Sequence, residues 1–275
     1  MTTDAIQEAV TAALAEDVGT GDVTTEATVP VEAVGTAEIL LKEPGVICGL
    51  AVAEATFRAL DEDVRFDALV DDGEVVTDVP APVATVTGAE RAILTGERVA
   101  LNFLGRLSGI ATLTKRYSDA LAGTRVAVLD TRKTTPGLRA LEKYAVACGG
   151  GKNHRFGLDD AVLVKDNHLR AAGSITRAVE RVRELSDLPV EVECESLDQV
   201  GEALTAGVEA ILLDNMSLDG LRSAVALADG RARLEASGGI TLDNIRAVAE
   251  TGVDEISVGA LTHSARSLDV SLELR

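Results

Sequence analysis

The chain has 275 residues, 46% of them apolar, with six aromatic side chains, no tryptophan and a formal charge of −19. That is length enough to bury a substantial core in one large or two ordinary domains, and the core has to be built from Val, Leu, Ile and Ala. The acidity argues against a nucleic-acid partner, because phosphate backbones need a basic face, and no apolar run approaches the ~18 residues of a membrane span.

The N-terminus, MTTDAIQEAVTAALAED, lacks the basic and long apolar regions of a secretory signal and spaces Ile6, Val10, Ala13 and Leu14 as an amphipathic helix. A loop rich in Gly, Asp and Thr, EDVGTGDVTTEATVP, is expected next. Strand-like runs follow in GTAEILLKEPGVICG and DVRFDALVDDGEVVTDVPAPVATVTG, with a helix near residues 50–60 between them. Short strands plus a helix predict an α+β unit over residues 1–107. GAERAILTGERVALNFLGRLSGIATLTKRYSDALAG then reads as a long helix that Gly96, Gly105 and Gly109 are expected to break or kink. Cys48, Cys148 and Cys194 are odd in number and widely spaced, which argues against a disulfide framework or zinc site and for free thiols in a reducing cytoplasm. Six lysines beside twenty arginines fit adaptation to high salt, where self-repulsion among carboxylates is screened.

Residues 108–265 alternate regularly. Strands are expected at 125–130, 161–165, 188–195, 209–214, 233–237 and 255–259, with helical stretches such as ITRAVERVRELS, LDQVGEALTAG and LDGLRSAVALA between them. Strands apolar on both faces and separated by helices form a parallel sheet, and the regular repeat favours a barrel over an open doubly wound sheet. A complete eight-unit barrel typically needs ~200 residues or more, so an open, incomplete (β/α) barrel of about six to seven parallel strands is predicted.

In this acidic chain the stretch Thr131–Arg170 turns basic, with eight lysines and arginines against four acids, and it holds two of the three histidines. Local cations in a repelling chain suggest a pocket for a multiply anionic small molecule. The strand ends agree with that. The first delivers Asp130, Thr131, Arg132 and Lys133, the second Lys165, the third Glu193, the fourth Asp214; the last two end in Ser237-Gly238-Gly239 and Gly259-Ala260, with His263 beyond. SGGI, leading to a helix expected near Thr241, and VGALTHS can each present backbone N–H groups to a phosphate. Glu193 and Asp214 repel phosphate, so ribose hydroxyls, a divalent cation or a developing positive charge are their partners. Lys165 can be a Schiff-base nucleophile or a cation for an acidic substrate, and Arg132 and Arg155 favour the cation. His154, between Lys152 and Arg155, suits anion binding. His168 is read as structural, Arg139 and Lys143 as an exposed helix face, Asp159 and Asp160 as solvated.

The run LDTRKTTPGLRALEKYAVACGGGKNHRFGLDDAVLVKDNH resembles the quinolinate phosphoribosyltransferase family, and GERVALNFLGRLSGIAT, VEVECESLDQ, ILLDNM, EASGGI and ISVGALTHS follow in that family's order. The resemblance implies a pentosyltransferase of NAD biosynthesis. Quinolinate and 5-phosphoribosyl 1-diphosphate, with Mg2+ and no organic cofactor, would give nicotinate mononucleotide, diphosphate and CO2. It implies an N-terminal sandwich joined by residues 266–275, and a homodimer with shared active sites, compatible with a hexamer built as a trimer of dimers. Carried over, quinolinate would meet Thr131, Arg132, His154, Arg155 and Lys165, with Arg98 reaching in from the partner subunit. The phosphoribosyl side would use Lys133, Glu193, Asp214, Ser237, Gly238, Gly239, Gly259, Ala260 and His263, with Mg2+ held indirectly through Glu193 and Asp214. Gly105 departs from the family, where glutamine is commoner. The rival readings are a paralogue acting on another pyridine acid, an aldolase built on Lys165 and a non-catalytic phosphometabolite binder.

Overall fold

A computed structural model of the chain describes residues 2–275. Its first half forms α1 (Thr3–Val18), α2 (Val23–Thr28), β1 (Val34–Leu41), β2 (Gly45–Val46), α3 (Leu50–Leu60), β3 (Arg65–Ala68), β4 (Val75–Val76), β5 (Ala81–Ala89) and α4 (Glu90–Ala120). There follow β6 (Ala127–Leu129), α5 (Arg139–Cys148), β7 (Val162–Val164), α6 (Asp166–Ala172), α7 (Ile175–Arg183), β8 (Val190–Cys194) and α8 (Leu197–Thr205). The chain closes with β9 (Ala210–Asp214), α9 (Leu218–Ala228), β10 (Arg233–Ser237), α10 (Ile245–Ala249), β11 (Glu255–Ser257), α11 (Ala260–His263) and β12 (Val270–Leu274). Two compact units result. One takes the chain up to Lys115 together with Thr134–Gly150 and Ala260–Arg275; the other takes Arg116–Lys133 and Gly151–Gly259.

The first unit is built on an antiparallel sheet of order β12-β1-β5-β3. Alternation along β1 buries Ala37, Ile39 and Leu41 in one cluster with Phe57 of α3 and Ile93, Ala100 and Leu104 of α4. Each large apolar side chain so enclosed contributes about 1.5–3 kcal/mol. Three local expectations change. The segment read as a loop contains α2, because Asp22 Oδ1 accepts the Thr25 N–H at 2.9 Å and caps it. Helix α4 runs unbroken for 31 residues through Gly96, Gly105 and Gly109. These glycines make room instead: a Cβ at Gly109 would stand 2.0 Å from the Arg266 carbonyl oxygen and one at Gly105 2.8 Å from that of Leu268. Finally, Lys143 is only 2% exposed. Its neighbour Glu142 is fully buried and takes Arg106 Nε and Nη2 and both the N–H and hydroxyl of Thr135, and this anchoring turns that face of α5 inward.

The second unit carries six parallel strands in the order β6-β11-β10-β9-β8-β7. From β7 to β11 neighbours in sequence are neighbours in space, and β6 takes the far edge, so this is the open, incomplete barrel of the sequence reading. A single bridge, Leu129 with Lys152, extends it beyond β6. Helices α7, α8 and α9 start by one device: Ser174, Ser196 and Ser217 each accept an N–H three residues on. The three cysteines are free, Cys48 and Cys194 buried and Cys148 half-buried. Among the described residues no helix is long and apolar enough to cross a membrane.

Candidate active site

Because the strands of the second unit are parallel, their carboxyl ends share one side of the sheet. Glu193 on β8 lies opposite Leu212 on β9, and Asp214 lies opposite Ser237 on β10. With a side-chain period of two, Glu193, Asp214 and Ser237 therefore share a face. Lys165, directly after β7, places its Nζ 2.8 Å from Glu193 Oε2, with the lysine side chain 45% and the glutamate 12% exposed. Asp214 Oδ2 accepts the Asn215 amide at 2.8 Å. These two carboxylates offer hard oxygen donors, a set that suits Mg2+ when substrate phosphates and waters complete its shell.

The cationic segment after β6 is held in a tight turn, since Thr131 Oγ1 accepts the Lys133 N–H at 3.0 Å. Arg132 is half-buried and its Nε has no hydrogen-bond partner. Burial first, and the nearby Arg132 charge second, lower the pKa of Arg155, with Asp160 and Glu191 opposing. Two guanidiniums are thus gathered in one neighbourhood. The loop carrying Arg155 is itself tied down. Asp130 Oδ1 accepts the His154 N–H at 2.9 Å, Arg155 Nη1 donates to the Ala161 carbonyl at 3.2 Å, and Asp160 accepts the N–H groups of Phe156 and Gly157. Those amides hold Asp160 below the usual carboxylate range, so it is a loop cap as well as a solvated acid. His168 accepts the Lys165 N–H at 2.9 Å and closes the start of α6.

His154 faces inward. Its Nε2 lies 3.1 Å from Glu191 Oε2 and 3.3 Å from Glu235 Oε2, with side chains 13%, 7% and 0% exposed. Its Nδ1 lies 2.7 Å from the Arg155 nitrogen, placed to accept that N–H. Burial lowers the imidazole pKa, but the hydrogen bonds and charges of the two glutamates outweigh it and push the value up to about 10. A doubly protonated ring has no lone pair for the Arg155 amide, so the two ends of the ring compete. Charge-assisted bonds contribute about 1.5–3 kcal/mol each against about 1 for a neutral one, so the carboxylates prevail and the ring is an imidazolium at neutral pH. Sequence reasoning missed Glu191 and Glu235; the available signal was an acid inside each of the apolar strands VEVEC and RLEAS. With His154 they are also the one group of three such side chains, among the described residues, whose ligand atoms lie close enough to share an ion, within 4.8 Å of one another.

The glycine turn after β10 is conformationally demanding. Gly238 and Gly239 have φ of 94° and 62°, a Cβ on Gly238 would fall 2.2 Å from Asn215 Oδ1, and the space beside Gly239 is open. Helix α10 starts at Ile245, later than the expected Thr241, because Asn244 accepts the Thr241 N–H and donates to the Gly239 carbonyl, holding the segment as a turn. A cavity of about 230 Å³ borders Ser237, Gly238, Asn244 and Met216; another of about 200 Å³ borders His154, Arg155, Glu191 and the amino ends of β8 to β11. Gly259 ends this unit. Arg98, Ala260 and His263 belong to the first unit. There the Arg98 side chain is 63% exposed, with Glu97 3.7 Å from its guanidinium, and His263 Nδ1 pairs with the Ser264 hydroxyl at 2.7 Å.

Residues 22–108 match the model of the quinolinate phosphoribosyl transferase N-terminal domain and residues 110–273 that of its C-terminal domain. The chain is 48% identical over 266 residues to a probable nicotinate-nucleotide pyrophosphorylase (carboxylating) of Synechocystis, covering 95% of this chain and 90% of that protein. It is 47% identical to the enzyme of that name from Mycobacterium leprae, over 98% of both chains. NadC from Streptococcus pyogenes superposes with a TM-score of 0.95 at 44% identity, covering 100% of this chain and 98% of that one. With both domain models matched in order and near-complete coverage, the chain belongs to the quinolinate phosphoribosyl transferase family.

Proposed function

We propose that the chain carries out the reaction for which its family is named: phosphoribosyl transfer from 5-phosphoribosyl 1-diphosphate to quinolinate with loss of CO2, giving nicotinate mononucleotide and diphosphate. The observation that carries the reading is Arg132, whose Nε is buried and without a hydrogen-bond partner while its charge acts on Arg155. Like charges so placed favour a ligand with more than one carboxylate. Thr131, Lys165 and His154 complete that wall. Lys165 now leans on Glu193; a substrate carboxylate would take the lysine over and leave Glu193 facing the ribose. Lys133, Ser237, Gly238, Gly239 and Gly259 of the second unit form the phosphate side, and the open space at Gly239 admits close approach to backbone N–H groups. Arg98, exposed in its own chain, serves the site of a partner subunit in a homodimer. A cytoplasmic location fits free cysteines and a phosphorylated sugar substrate.

The wall fixes both quinolinate carboxylates and so presents the ring nitrogen to the anomeric carbon. As diphosphate departs, positive charge grows on the ribose, and Glu193 and Asp214 lie on one face to stabilise it. Glu193, Asp214 and the substrate phosphates would hold Mg2+, which would supply charge neutralisation at the leaving group. Once the nitrogen is quaternised, the adjacent 2-carboxylate sits beside a cationic ring; its carbon–carbon bond breaks, CO2 leaves, and the electron pair left on C2, stabilised by the adjacent ring cation, takes a proton from water to give nicotinate mononucleotide. The test is simultaneous release of diphosphate and CO2 from quinolinate and the phosphoribosyl donor. Diphosphate release from nicotinate, with no CO2, would place the chain with a paralogous transferase instead.

A further inference from the structure

Glu191 and Glu235 sit one layer below the strand-end residues of the same face. Glu191 precedes Glu193 by two positions and Glu235 precedes Ser237 by two, so each shares its face with a residue of the site. Both are buried, and Glu191 Oε1 and both carboxylate oxygens of Glu235 have no hydrogen-bond partner. A core gains little from such groups, since well-packed apolar residues in their place are often as stable or more so. Their contact is His154, and nothing else in the reaction described above uses them. His154 is held by its backbone N–H on Asp130 and by Nε2, which lies 3.1 Å from Glu191 Oε2 and within ion-pair range of Glu235 Oε2 at 3.3 Å. Arg155 is the next residue, and its N–H lies beside the ring's Nδ1.

We propose that Glu191 and Glu235 are positioning residues for the dicarboxylate wall: they hold the His154 ring from within the sheet, and so set the loop that carries Arg155. The inference rests on the reading that His154 and Arg155 bind quinolinate. It follows the logic by which outer carboxylates orient a working imidazole. A bound divalent cation is the rival occupant of the three groups. The cationic Arg155, within the field of Glu191, and Lys152 and Arg233, within that of Glu255 beside the same cavity, weigh against it.

The experiment compares full-length wild type with Glu235→Gln and Glu191→Gln. Folded variants should raise the KM for quinolinate about tenfold while the KM for the phosphoribosyl donor and kcat change by less than about threefold. Glu235→Asp should recover part of the loss. The ring 15N resonances of His154, assigned among three histidines by their loss in His154→Gln, should move in both glutamine variants. An unchanged quinolinate KM in folded variants, or an equal rise in both KM values, overturns the proposal. So does failure of both variants to fold, which would make the glutamates fold residues. Stoichiometric uptake of Mn2+ or Zn2+ by the wild type, lost in Glu235→Gln, overturns it in favour of a metal centre. A wild type with no turnover of quinolinate sinks the functional reading itself, and this inference with it.

Discussion

Two layers of charge occupy one face of the parallel sheet, and they differ in how firmly they are held. At the strand ends, Lys165 and Glu193 form a single contact with the lysine 45% exposed. One layer down, His154, Glu191 and Glu235 are nearly closed to solvent and locked to one another. An exposed ion pair contributes little to stability, about 0–1 kcal/mol, so its partners can be exchanged for a ligand. A buried charged cluster is costly to open, so it serves to hold geometry. Strand ends that must trade partners and interiors that must not are told apart by exposure, with the same residue types in both.

The largest effect is expected where that exchange occurs. Arg132→Ala and Lys165→Ala each remove a charge-assisted contact of about 1.5–3 kcal/mol at binding alone, and misplacing the ring costs more. We expect kcat/KM for quinolinate to fall by about two to three orders of magnitude in each folded variant. Near wild-type efficiency in either would remove that residue from the wall.

Next comes a recovery of activity. If Arg98 serves a partner's site, then mixing inactive Arg98→Ala with inactive Lys165→Ala subunits should restore turnover, because some heterodimers contain one intact site. Subunit exchange is verified separately by native mass spectrometry. Exchange without any recovery would show that Arg98 acts within its own chain or in no site at all.

Much of this was legible from residues. The strands of the second unit follow from β-branched runs and their spacing, and their charged ends are plain in the sequence. What escaped was decided by packing. Gly96, Gly105 and Gly109 look like helix breakers, yet the close approach of Arg266 and Leu268 to α4 requires their missing side chains. Lys143 reads as a solvated helix residue, and the burial of Glu142 beside Arg106 carries it inside. Glu191 and Glu235 stand in strands that otherwise read as core, and only the path of the His154 loop gives them a partner.

Neutral isosteres of the strand-end acids should separate binding from chemistry. Glu193→Gln and Asp214→Asn remove transition-state partners, and the single-turnover rate should drop about a hundredfold. Glu193→Gln also releases Lys165 from its ion pair, so equilibrium affinity for quinolinate should hold or tighten slightly. Weaker quinolinate binding with an unchanged rate would make these acids scaffold.

The smallest effect tests the locked layer through pH. Glu191 and Glu235 push His154 up to about 10 against an ordinary 6.5. Between those values the folded ring keeps its proton while the unfolded one has lost it, so the folded state binds more protons and stability falls as pH rises. The contribution is complete below pH 6.5 and gone above about 10. Burial also pushes Cys194 up to about 12 from its ordinary 9.0, and it acts in the same direction once unfolded thiols ionise. The clean window is therefore pH 6.5–8.5, below thiol ionisation. There the wild type should lose about 2 kcal/mol by linkage, and its melting midpoint should fall by several degrees. Glu235→Gln, keeping only one of the two carboxylates on Nε2, should show a shallower decline. Parallel pH profiles for wild type and variant would mean that the glutamates do not set the charge of His154, and the contrast between a fixed and an exchangeable layer would then rest on burial alone.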